Sequence, residues 1–127
     1  MEKEIINIGS IVLEWSDWFS WSELKSDARS GGVRVPNYKP GVYEVKYRDS
    51  EKRLTIGKAS DLRRRIKEHL LRDKGEHSAG KEIRAKENIS KIVIRWAVTD
   101  RPAAVEEELH KKYQDKFGKL PKHTKHT

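Results

Sequence analysis

The chain has 127 residues, 35% hydrophobic and 38% charged, which fits one small domain with a thinly supplied core and leaves no room for a second. Lys and Arg number 28 against 20 Asp and Glu, a net charge of +8 that points to a polyanionic partner, nucleic acid first, then the ribosome or an acidic protein. With no cysteine, disulfides, thiolate metal sites, iron–sulfur clusters and a cysteine nucleophile are excluded.

The start, MEKEIINIGS, lacks the apolar segment of a secretory signal, and no apolar run reaches the roughly 18–20 residues of a membrane helix. A cytoplasmic, intracellular protein with no membrane partner is expected. Ile5, Ile6, Ile8, Ile11, Val12 and Leu13 suggest a short strand or buried arm. Trp15, Trp18 and Trp21 follow at intervals of three, either as a packing face or as a stacking platform for bases. Ser22 can cap a short helix, SELKSDAR, which Gly31-Gly32 ends. Pro36 and Pro40 bracket an extended linker. The expected organisation is an N-terminal extension, residues 1–36, packing on a domain of residues 37–120, with a basic tail at 121–127.

From Gly41 the pattern sharpens. GVYEVKY alternates as a strand, with Tyr43, Val45 and Tyr47 on one face; Asp49, Ser50 and Glu51 form a turn, and RLTIG returns as a second strand. Ser60 or Asp61 caps a helix to about Arg72, and a polar loop with Gly75 and His77 precedes a weaker helix around KEIRAKEN. KIVIRWAV is a third strand, with Ile92, Ile94, Trp96 and Val98 sharing a face. A last helix starts at Thr99 or Asp100, takes Pro102 in its first turn and runs to about Phe117. This order predicts an α+β fold: a small antiparallel three-stranded sheet flanked by helices.

Charges placed on helix faces at roughly 100° per residue isolate three polar side chains. In the first core helix Leu62, Ile66 and Leu70 make the apolar stripe, and Arg63, Arg64 and Lys67 point away from it. Arg65 and His69, one turn apart, flank the stripe on the sheet side. A buried arginine needs an anion or several acceptors. In the last helix Leu109, Tyr113 and Phe117 define the face, with Ala103 alongside; Glu106 falls inside it, while Glu107 and Glu108 look outward. Arg65 and Glu106 are either a structural ion pair or a phosphate-binding group facing a divalent-metal ligand.

Gly41-Val42-Tyr43, eleven residues, then Thr55-Ile56-Gly57 resembles the paired signature of the GIY-YIG nucleases. KASDLRRRIKEHL is similar to that family's first helix, placing Arg65 at the catalytic arginine and His69 at a histidine one turn on. EHSAG around His77 resembles a histidine-containing segment of some homing-endonuclease members, and VEEELHKKY resembles the last helix, with Glu106 at the catalytic glutamate. Thr55 stands where the signature has its second tyrosine. No counterpart is found for the asparagine that often follows the last helix.

The resemblance implies metal-dependent hydrolysis of phosphodiester bonds in nucleic acid, double-stranded DNA being the expected substrate, with a homodimer left open. On that reading Tyr43 is the base, aided by Lys46, Lys58 or Arg65. Arg65 holds the scissile phosphate, His69 relays a proton or binds a phosphate oxygen, and Glu106 holds one Mg²⁺ or Mn²⁺. Thr55, Lys58, Arg63, Arg64 and His77 are the candidate substrate contacts. His110, His123 and His126 supply no tetrahedral zinc set, and no glycine-rich phosphate loop is present. The alternative is a catalytically silent nucleic-acid-binding module on the same scaffold. Glu106 separates the two, since a surface that only binds phosphate gains nothing from a carboxylate opposite its arginine.

Overall fold

The computed structural model describes residues 4–8, 11–26, 33–72 and 78–124. The isoleucine-rich start is a hairpin, β1 (Ile5–Ile8) against β2 (Ile11–Glu14), antiparallel from Ile5–Glu14 to Ile8–Ile11. Its alternation buries Leu13 and turns Val12 to solvent. A two-residue strand, β3 (Phe19–Ser20), leads into α1 (Trp21–Lys25). The cap is Ser20, not Ser22: the Glu23 amide donates to the Ser20 hydroxyl and the Ser20 amide donates to the Glu23 carboxylate.

From Gly41 the elements are β4 (Gly41–Tyr47), β5 (Arg53–Ala59), a π helix (Arg64–Leu70), α2 (Ser78–Lys86), a 3-10 turn (Ile89–Lys91), β6 (Ile92–Val98) and α3 (Pro102–Phe117). The main sheet is antiparallel in the order β3-β6-β4-β5, four strands where the sequence pattern predicts three. The extra strand pairs only Phe19 with Ile94 and Ser20 with Val93, too short to leave a period-two signal.

Successive residues of β4 point to opposite faces, and each face has its own core. Tyr43 and Val45 join Leu62, Ile66, Leu70, Ile83, Ile92 and Ile94; Val42 joins Ile56, Ala97, Val105, Leu109 and Tyr113, with Leu13 and Trp15 from the N-terminal arm. Full burial is worth about 1.5–3 kcal/mol for each of Leu62, Ile66 and Leu70, which holds the π helix on the sheet. Two face assignments change. Lys67 is buried, because its ammonium donates to the Leu24 and Ser26 carbonyls. Ala103 is exposed, and Val105 takes its place on the inner face of α3.

Of the two readings of the tryptophans, a packing face is the one built. Trp15 and Trp21 are buried, and the half-buried Trp18 ring lies 4.8, 5.0 and 4.6 Å from the cations of Lys46, Arg53 and Arg95. Buried Glu44 anchors the two arginines, accepting from Arg53 Nε at 3.1 Å and Arg95 Nε at 2.8 Å.

Gly118, left-handed at φ 76, ends α3. Residues 121–124, assigned to a basic tail from sequence, then run along the outer edge of β5. The His123 amide donates to the Leu54 carbonyl at 2.7 Å, and the Ile56 amide donates to the Thr124 hydroxyl at 3.3 Å. His110 Nε2 meets the Ile56 carbonyl at 2.8 Å on the same edge. An uncovered strand edge invites pairing with other chains, and these contacts cover it. No helix among the described residues is long and apolar enough to cross a membrane.

Candidate active site

Both glycines of the two tripeptides are dictated by close approach. Gly57 lies opposite Tyr43 in the β4–β5 register, and a Cβ there would sit 2.5 Å from both Cζ and the phenol oxygen of Tyr43. A side chain at Gly41 would collide with the Ala97 carbonyl and with Leu62. The outer end of the tyrosine ring therefore occupies the space over a glycine, and its own strand sits tight against β6 and the start of the next helix.

That helix is positioned by the linker before β4. The Leu62 amide donates to the Lys39 carbonyl at 2.9 Å, the Arg63 amide to the Pro36 carbonyl at 3.2 Å, and the Arg64 amide to Asp61 Oδ1 at 3.4 Å. These bonds satisfy amides that a helix start otherwise leaves unpaired. Winding begins with Arg65 N donating to Asp61 O and passes to π spacing, Leu71 N donating to Ile66 O. At the far end Arg84 Nη1 donates to the His69 and Leu70 carbonyls at 3.0 and 2.5 Å. Arg65 and His69 thus project from a segment pinned at both ends.

Tyr43 is 1% exposed. Burial raises its pKa above the ordinary phenol value; the Arg65 charge opposes that rise and the Glu106 charge adds to it. Side chains from β4, the π helix and α3 thus meet electrostatically at one phenol. Arg65 and Glu106 are half-buried, and among the described residues neither makes an ion pair, so the internal salt bridge is not the arrangement adopted. His69 is half-buried, and burial, then Arg65 and Arg64, hold its pKa below the usual imidazole value. The shift favours the neutral imidazole, and its buried Nδ1 has no hydrogen-bond partner among the described residues.

The other candidates disperse. Thr55 is 3% exposed and its hydroxyl meets that of Thr124 at 3.0 Å, so it is not placed to touch a substrate. Lys58 is exposed on β5, next to Gly57. Arg63 and Arg64 are exposed and line a cavity that Tyr43 does not, although the Arg64 charge still reaches His69. Lys46 faces Trp18 and does not assist the phenol. His77 lies outside the described residues. The sequence reading missed how Gly57 is used; its signal was the equal place of tyrosine and glycine in the two tripeptides, which the antiparallel register turns into a facing pair.

No group of three or more His, Cys, Asp or Glu side chains able to hold a metal occurs among the described residues. A lone carboxylate on a half-exposed helix face fits a hard cation that keeps most of its waters and takes its remaining ligands from a phosphate, and does not fit zinc.

Residues 39–120 match the family model of the GIY-YIG catalytic domain. Comparison with curated proteins and with solved structures gives no match. The match spans the Tyr43, Arg65, His69 and Glu106 positions and leaves the N-terminal arm outside it. A domain of this kind implies nuclease-type activity on nucleic acid.

Proposed function

The chain belongs to the GIY-YIG family, and on that premise we propose that it is a metal-dependent endonuclease hydrolysing phosphodiester bonds of double-stranded DNA. One observation carries the reading: a buried phenol that feels the charges of an arginine and a glutamate from two different elements, neither charge consumed by an ion pair among the described residues. A surface that only bound phosphate would have no use for the glutamate.

In-line attack at phosphorus needs an activated water, a clamp on the phosphate and compensation of the leaving oxygen's charge. Arg65 presents paired N–H donors to the phosphate. Glu106 would hold Mg²⁺ or Mn²⁺, which when bound would compensate charge on the leaving oxygen. Tyr43 is the base. Burial is the chief cause of its raised pKa; of the two charges that reach the phenol, Arg65 favours its ionisation and Glu106 opposes it. His69, neutral and one turn from Arg65, accepts the proton onward. Lys58 adds a phosphate contact beside Gly57. One such site cuts one strand, so a double-strand break requires a second copy of the chain or a second encounter.

Incubation with supercoiled plasmid in Mg²⁺ or Mn²⁺ tests this. Wild type converts it to nicked and linear forms; Arg65→Ala slows conversion by about 10²–10³-fold, the scale of losing one oriented donor to developing charge. Glu106→Ala and EDTA abolish it. Nicking that survives both substitutions would overturn the reading. The silent binding module is favoured by Thr55, which holds the second tyrosine's place and is engaged with Thr124. Plasmid binding with no nicking in either metal would select it.

A further inference from the structure

Tyr38 is left unexplained by the catalytic site. It sits between Pro36 and Pro40, its backbone is left-handed at φ 60, and its side chain is 82% exposed. Among the described residues it is the sole non-glycine with positive φ. A bulky side chain is disfavoured in that conformation and glycine is not. The conformation is held by the contacts that start the neighbouring helix: the Tyr38 amide donates to Asp61 Oδ1 at 3.2 Å, and the carbonyls of Pro36 and Lys39 accept from Arg63 and Leu62. Backbone strain persists only where surrounding contacts over-determine it, and it clusters at active sites and ligand clamps.

The face borders a cavity of about 400 Å³ lined by Asn37, Tyr38, Asp61, Arg63, Arg64 and Arg72, with Lys67 and Glu68 completing the wall. Asp61 is already accepting amide bonds, and the Lys67 ammonium is turned inward to the Leu24 and Ser26 carbonyls. Arg72 spends one guanidinium nitrogen on the Lys25 carbonyl. The guanidinium groups of Arg63 and Arg64 make no hydrogen bond or ion pair among the described residues, and both residues are exposed. An aromatic plane beside two unpaired guanidinium groups suits a base and its phosphates. A duplex presents phosphates, but its base faces are stacked on one another.

We propose that this cavity binds one unpaired nucleotide of a nucleic-acid strand, its base stacked on Tyr38 and its phosphates held by Arg63 and Arg64. Tyr43, Arg65, His69 and Glu106 do not line this cavity, so it engages strand outside the cleavage site. The inference rests on the nuclease reading for the class of partner, not on cleavage.

The test is fluorescence anisotropy of the full chain in EDTA, with a labelled oligothymidylate and a labelled duplex of equal length. Tyr38→Gly removes the ring and relieves the backbone, so a loss of binding is not a loss of folding. It weakens the single strand by about tenfold, the scale of one base–aromatic stack, and leaves the duplex nearly unchanged. Tyr38→Phe binds like wild type, and Arg63→Ala or Arg64→Ala weakens the single strand. Equal affinity of Tyr38→Gly and wild type for the single strand, or equal loss on both probes, would overturn the proposal. A wild type that never nicks plasmid yet shows this pattern would sink the nuclease reading alone.

Discussion

Tyr43 occupies the space that any side chain at position 57 would need, so the pair behaves as one unit: a phenol and the absence opposite it. Gly57→Ala puts a methyl group against Cζ and the phenol oxygen, in a core that already holds Tyr43 at 1% exposure. Overpacking of this kind costs about 1–3 kcal/mol. The Gly57→Ala variant should therefore unfold at lower urea, and combining it with Tyr43→Ala, which empties the clash, should recover most of the Gly57 part of the loss. An additive double mutant would mean that the two residues do not press on each other. The same pair shows what was legible in the sequence at this scale. Tyr43, Arg65, His69 and Glu106 could be chosen because they are polar groups on apolar faces, or match the signature. That Thr55 would be spent on Thr124, sixty-nine residues away, depended on a long-range contact that no local pattern encodes.

Elements were read well where periodicity is long and badly where tertiary contacts decide. β4, β5, β6 and α3 follow their alternation or stripe; two-residue β3 and the π winding after Asp61 do not announce themselves. Residues 121–124 are the sharpest case, since lysines, proline and histidine look like a solvated tail. They are held by Glu87, at the end of α2, which accepts from Lys122 at 2.7 Å, His123 at 2.7 Å and Tyr47 at 2.6 Å. Burial pushes the Glu87 pKa up, but these bonds outweigh it and hold it at about 2 against an ordinary 4.5. A depressed carboxylate stabilises the fold fully above its unfolded value and loses that contribution as pH falls towards the folded one. Glu87→Gln should cost about 1–2 kcal/mol at pH 7. Its deficit relative to wild type should shrink as pH drops from about 4.5 to about 2, read by urea unfolding at several pH values. A deficit independent of pH would mean that the carboxylate's charge is not what holds the segment.

For the whole molecule, the net charge of +8 pointed to a polyanion before any element was placed, yet it overstates the surface offered to one. Arg53 and Arg95 are committed to Glu44, Lys67 and Arg84 to backbone carbonyls, and Lys122 to Glu87. Composition counts these cations; only the fold shows which are already used. Lys58, exposed beside Gly57, makes no hydrogen bond or ion pair among the described residues. The distinction is measurable, because each lysine or arginine that neutralises a duplex phosphate contributes about one unit, nearer 0.9, to the slope of log affinity against log salt. Lys58→Ala should flatten that slope by about one unit for a duplex between about 50 and 200 mM salt. Lys122→Ala, which removes the same formal charge, should leave the slope unchanged while lowering stability. Equal flattening by both would mean that duplex DNA responds to total charge, and that the edge of β5 near Gly57 is not where the phosphates lie.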